Sequence, residues 1–172
     1  MNLFLHILIH ILLGFLAGII SWQIYKKDLH AHWQVFLVFF SALASGVAVD
    51  LDHFIDYFLA FGFQFNFDYF LSGYQFLKSD KIYIFFHAWE YVVIFVILAV
   101  ILRKILAKAI FFSLALGLFF HLSADCLLNE GMRQQAYSMV YRIKNNFDVE
   151  SLVTVEHWQE HIKLKENVNF NQ

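Results

Sequence analysis

Apolar residues in this chain come in long blocks separated by short polar stretches. A helix rises 1.5 Å per residue, so crossing the hydrocarbon core of a bilayer takes about 20 mostly apolar residues. Four blocks approach that length: Leu3 to Ile20, about Trp33 to Val49, about Ile82 to Leu102, and about Ala109 to Leu128. The pattern predicts an all-α membrane protein, a four-transmembrane-helix bundle over residues 1–128. The first block lacks the basic flank of a signal peptide and carries histidines, so it reads as a retained span.

Between the second and third blocks, Phe61, Phe63, Phe65, Phe67 and Tyr69 alternate with mostly polar residues. That is a strand period, but beside a bilayer an aromatic-rich segment fits the headgroup level better. After Leu128 the chain turns polar. Met132, Ala136, Met139, Val140, Ile143 and Phe147 recur at helical spacing, and a further helix is expected between Asp148 and Lys165. Residues 129–172 thus read as a polar tail of amphipathic helix lying on the membrane or on the bundle.

Composition agrees with a bilayer partner. Of 172 residues, 60% are hydrophobic and 15% charged, where a soluble domain carries about a quarter charged. A net charge of −2 with no basic stripe excludes nucleic acid as a partner. The one cysteine, Cys126, excludes an intramolecular disulfide and a Cys-rich zinc site. Lys26 and Lys27 in the first connection, with Arg103, Lys104 and Lys108 in the third, place those loops in the cytoplasm. The expected location is a bacterial inner membrane, with the start of the first span on the extracytoplasmic face.

Ionisable groups inside spans cost several kcal/mol by insertion scales and so mark cavities, partners and function. Here they fall at matching ends. His6 and His10 lie early in the first span; Asp50, Asp52, His53 and Asp56 end the second. His87 and Glu90 begin the third, and His121 and Asp125 lie late in the fourth. In an up-down-up-down bundle those four ends share one leaflet. The i,i+4 and i,i+3 spacings put each pair on one helix face, the way bundle proteins build carboxylate-and-histidine metal sites. Three or more histidines with carboxylates and no thiolate suit zinc first, then manganese or iron. His30 and His32, beside Trp33, read as headgroup-level surface residues.

This ordered set resembles the membrane-bound metal-dependent hydrolase family, the inner-membrane hydrolases related to YdjM. The resemblance rests on His10 with Gly14, then Asp50, Asp52 and His53, then His87, then His121 and Asp125 followed by Asn129 and Gly131. It covers roughly residues 1–131. Val49 stands where the family usually has Pro, and Phe85-Phe86-His87-Ala88-Trp89-Glu90-Tyr91 replaces a central motif with two histidines. The resemblance implies a hydrolase without naming its substrate.

The expected chemistry is therefore metal-assisted hydrolysis, with His10, Asp52, His53, His87, His121 and Asp125 as ligands. Asp50 serves as a ligand or as a carboxylate that orients an imidazole, and Glu90 or Asp56 serves as general base. A site beside lipid suits an amphiphilic phosphoester. The alternative is a non-enzymatic metal-binding membrane protein or a subunit of a membrane complex. His157-Trp158-Gln159-Glu160-His161 matches the inverted zinc-protease motif, but a solvated helix face is the better reading, because little chain remains to supply a third ligand.

Overall fold

A helix satisfies its backbone polar groups within one segment, as a bilayer demands, and helices dominate the computed structural model, which describes residues 3–168. Their order is α1 (Leu3–Tyr25), α2 (His32–Val47), α3 (Asp52–Phe61), α4 (Phe67–Leu71), α5 (Tyr74–Ser79), α6 (Trp89–Ile101), α7 (Ile105–Leu128), α8 (Met139–Lys144), α9 (Val149–Leu152) and α10 (Val155–Asn167). Short 3₁₀ turns occupy Ala48–Leu51 and Gln134–Tyr137. Among the described residues there are no strands, only isolated bridges at Lys81–Asp148 and Met132–Val153.

Three helical stretches are long and apolar enough to cross a membrane: Phe4–Tyr25, His32–Phe61 and Ile105–Leu128. The expected fourth is shorter. Only Trp89–Ile101 of the Ile82 to Leu102 block is helical, about 20 Å of helix against a hydrocarbon core of about 30 Å. The cause is local. Asp56 takes the backbone N–H groups of Tyr83 and Ile84 at 2.7 and 3.0 Å, and Asp52 takes that of Phe86 at 2.7 Å. Ile84 has φ +32°, outside the helical region. Those amides are committed to side chains and cannot enter a helix.

The chain divides into two compact units, residues 3–49 with 88–128 and residues 50–87 with 129–168. The boundary expected after Leu128 is thus one of three crossings between the units.

In the first unit α1, α2 and α7 pack on one another and α6 packs on α7. Gln34 starts α2 by accepting from the N–H groups of His30 and Ala31, half of a capping box. Small residues let the backbones close up. A Cβ on Gly46 would lie 3.1 Å from the Cα of Gly14, and one on Gly117 would lie 2.4 Å from the carbonyl oxygen of Ala42. Polarity is inverted relative to a soluble domain. Ser21, Ser113, His10, His121 and Asp125 are buried, while Phe4, Leu12, Phe36, Phe40, Val100 and Ile101 are exposed. Ser113 donates to the carbonyl of Val38 at 2.6 Å, tying α7 to α2.

The second unit has an apolar core of Ile82, Ile84, Ala136, Val149, Leu152 and Val153. The single amphipathic helix expected across Met132 to Phe147 is broken. Arg133 N–H goes to the Leu152 carbonyl, Ser138 caps α8 by accepting from Tyr141 N–H, and Asn146 and Phe147 have φ of +54° and +60°, which ends it. The helix expected between Asp148 and Lys165 is present as α9 and α10. Burial alone would raise the Asp80 carboxyl, but His161 and Lys165 of α10 pair with it and hold it below the usual carboxylate range. The aromatic segment forms no strand. It turns at Gly62 (φ +67°) and folds its rings around Phe54, with Phe70 stacked at 4.4 Å and Phe65 at 5.9 Å.

Candidate functional site

The i,i+4 spacing brings His6 with His10 onto one face of α1 and His121 with Asp125 onto one face of α7, and the glycine contacts seat both helices closely against α2. His10 Nε2 lies 3.0 Å from His6 Nε2 and 3.2 Å from Asp125 Oδ1. His6 Nε2 is 3.7 Å from the same Asp125 oxygen. His121 Nε2 is 3.2 Å from the other oxygen, Oδ2. His10 and His121 are fully buried, with ring centroids 4.1 Å apart and the planes tilted by 31°.

The tautomer of His121 follows from its neighbour. Its Nδ1 faces the carbonyl oxygen of Gly46 at 3.0 Å, and a carbonyl only accepts, so Nδ1 carries the hydrogen. In the neutral ring Nε2 is then a lone pair pointed at a carboxylate. Two acceptors at 3.2 Å inside a buried cluster repel one another unless a cation joins them. Metal-ligating histidines are held in this way, through the second ring nitrogen.

His6, His10 and Asp125 can hold a metal ion. Donors bound at 2.0–2.2 Å to one tetrahedral ion stand about 3.3–3.6 Å apart, and the separations here, 3.0, 3.2 and 3.7 Å, bracket that value. His10 Nδ1 is buried with no hydrogen-bond partner among the described residues, so its own contacts do not fix its tautomer.

The second unit carries a second group. Asp50, His53 and His87 each offer a donor atom within 4.8 Å of the others. His87 lies between two carboxylates, with Nε2 3.2 Å from Asp50 Oδ1 and Nδ1 3.0 Å from Asp52 Oδ2. The His53 and His87 rings are 5.3 Å apart. Asp52 is wholly buried, and its other oxygen has no hydrogen-bond partner among the described residues.

Expected site residues thus fall as follows. His10, His121 and Asp125 meet in the first group, joined by His6. Asp50, His53 and His87 meet in the second. Asp52 stands beside that group and orients His87. Asp56 has each carboxylate oxygen on a backbone N–H and acts as an anchor for the 83–87 segment. Glu90, in the first turn of α6, belongs to neither group. His161 bonds Asp80 and stacks on Trp158, while His157 meets the Thr154 hydroxyl. The protease-like motif therefore serves to attach α10. His30 and His32 are exposed.

Arg142 is the residue that periodicity misses. It is fully buried and donates to the carbonyls of His87 at 2.8 Å, Ala136 at 2.5 Å and Ile84 at 3.0 Å. In sequence it sits in a stretch that reads as the polar side of a surface helix, so no local signal separates it from Arg133 or Lys144. Its guanidinium holds the carbonyls of the segment whose N–H groups Asp52 and Asp56 hold.

No family model, curated protein or solved structure matches the chain.

Proposed function

We propose that this chain is a membrane-embedded, metal-dependent hydrolase acting on an amphiphile with a phosphoester head. The observation that carries the reading is the Gly46–His121–Asp125 arrangement, in which a buried imidazole with a fixed tautomer presents its lone pair to a buried carboxylate beside two further imidazoles. A metal-ligating histidine is held in this way, with its far nitrogen fixed by a hydrogen bond and its near nitrogen turned to the other ligands.

His6, His10, His121 and Asp125 would hold one divalent ion, and Asp50, His53 and His87 a second, with zinc favoured over manganese or iron by donor type. Such an ion supplies an activated water at neutral pH and neutralises charge on a phosphoryl oxygen. The chain's own part is positioning. The Gly46 carbonyl orients His121, and Asp52 orients His87. Glu90 is the preferred proton acceptor over Asp56, whose two oxygens already receive backbone hydrogens. The ordered motif similar to the YdjM-like hydrolases supports the same class, and a bacterial inner membrane with the groups toward the extracytoplasmic side fits the lysine and arginine pattern.

The test is elemental analysis of detergent-purified protein, paired with a panel of phospholipids and lipid phosphates in mixed micelles with zinc or manganese. Bound divalent metal and turnover, both lost in Asp125→Ala, support the proposal. Full metal occupancy with no turnover of any panel member would make the chain a metal-binding membrane protein without this activity.

A further inference from the structure

Helix α3 is inside out. It buries Asp52 and Asp56, at 0% and 2% exposure, together with Tyr57, while Ile55, Phe58 and Leu59 are exposed. An amphipathic helix in water does the reverse. The exposed residues also continue beyond the helix. Leu51, Ile55 and Leu59 form an i,i+4 row, and Phe63, Phe67 and Leu71 extend the apolar surface through the Gly62 turn and along α4. Phe63 at the tip is 98% exposed. Its backbone neighbourhood is satisfied, since Asn66 N–H donates to Tyr57 Oη at 2.8 Å and the Asn66 side chain accepts from Tyr69 N–H. The surface is thus built, and built apolar.

Its place in the chain identifies what covers it. The apolar stretch His32–Phe61 has 30 residues, whereas about 20 suffice to cross the hydrocarbon core. The surplus is α3, the part that carries the two buried carboxylates. A segment joined to the end of a span, apolar outward and rich in phenylalanine, fits the headgroup and upper acyl region, where aromatic rings concentrate. Lys78 lies 4.3 Å over the ring of Phe61, a cation placed at the edge of the aromatic surface, as an interfacial side chain is.

We propose that α3 and the Phe63 turn form a bilayer anchor, with their apolar faces immersed in the lipid interface. The claim is independent of any hydrolytic activity.

Site-directed spin labelling tests it. In a Cys126→Ala background, single cysteines replace Leu59, Phe63 and Phe67, with exposed Glu160 on α10 as the aqueous control. Each labelled protein is placed in nanodiscs of phosphatidylcholine and phosphatidylglycerol, and its collisions with oxygen and with a water-soluble nickel chelate are compared. The expected result is oxygen access with nickel exclusion at 59, 63 and 67, corresponding to immersion of about 5–10 Å, and free nickel access at 160. Three results would overturn the proposal. Nickel access at 59–67 equal to that at 160 places the face in water. Immersion to mid-bilayer makes α3 part of a crossing. Exclusion of both reagents with dipolar broadening between labels makes a second copy the occupant. All three labelled sites are exposed, so loss of folding does not confound the reading.

Discussion

The carbonyl of Gly46 and the imidazole of His121 meet at 3.0 Å across two helices, and this contact decides which nitrogen of the ring is left for Asp125. If the proposed ion is bound, His121→Ala should remove one of its donors. Metal occupancy of the purified protein should fall at least tenfold, with Asp125→Ala losing as much. Elemental analysis after dialysis against a fixed zinc concentration reads the result, and unchanged occupancy in both variants would refute the ligand assignment.

If the proposed ion is bound, removing it from the wild type should lower the melting temperature, because α1 and α7 both contribute donors to one group. Differential scanning fluorimetry in detergent, with and without chelator, measures it. In His121→Ala the chelator should produce a smaller shift.

Two glycines of the first unit, Gly117 on α7 and Gly18 on α1, should differ in what a side chain there costs. A Cβ at Gly117 meets the backbone oxygen of Ala42 as well as Ser45 Oγ, whereas one at Gly18 meets the side-chain ring of Phe39. A ring can turn aside; a carbonyl moves only with its helix. Gly117→Ala should therefore destabilise by about 1–3 kcal/mol and Gly18→Ala by clearly less. Unfolding in mixed detergent–SDS micelles followed by tryptophan emission compares them, and equal losses would contradict the packing.

The attachment of α10 should depend on acid. Asp80 has its carboxyl held below the ordinary value of 3.8 in the folded chain. Its stabilising contribution is then complete above that value and is lost as pH falls through the lower folded value. Fluorescence of Trp158, stacked against His161, should report release of α10 only at pH below about 3.8. Asp80→Asn should loosen α10 at neutral pH and flatten this acid response.

Glu90→Gln keeps shape and hydrogen-bonding capacity but cannot take up a proton at neutral pH. If the proposed hydrolysis takes place, turnover of a lipid phosphoester should drop about 10²–10⁴-fold with metal content unchanged. Loss of metal in this variant would make Glu90 a ligand, and full turnover would remove it from the chemistry.

What was legible in the sequence was whatever repeats along one helix. The His6–His10 and His121–Asp125 pairs are visible as spacing, and so is the apolar length of α1, α2 and α7. The 82–87 segment was not. Ile82, Ile84, Phe85 and Phe86 are as apolar as any span, and what keeps them from helix is a set of carboxylates about thirty residues earlier in the chain. Arg142 was hidden for the same reason, since its partners lie in that segment. Asp52 could be recognised as important but not placed. A carboxylate on a metal and a carboxylate on a ligand's far nitrogen have the same spacing in sequence.

The interleaving of the two units sets the order in which the molecule can be completed during synthesis. Residues 50–87 emerge before 129–168, with all of 88–128 between them. Until Arg142 has been made, the carbonyls of Ile84 and His87 lack the guanidinium that receives them, and the Lys81–Asp148 bridge has no second half. His87 therefore gains its full support only after α7 is in place. A nascent chain halted after Leu128 would carry every residue of both donor groups and still lack the support that holds one of them in position.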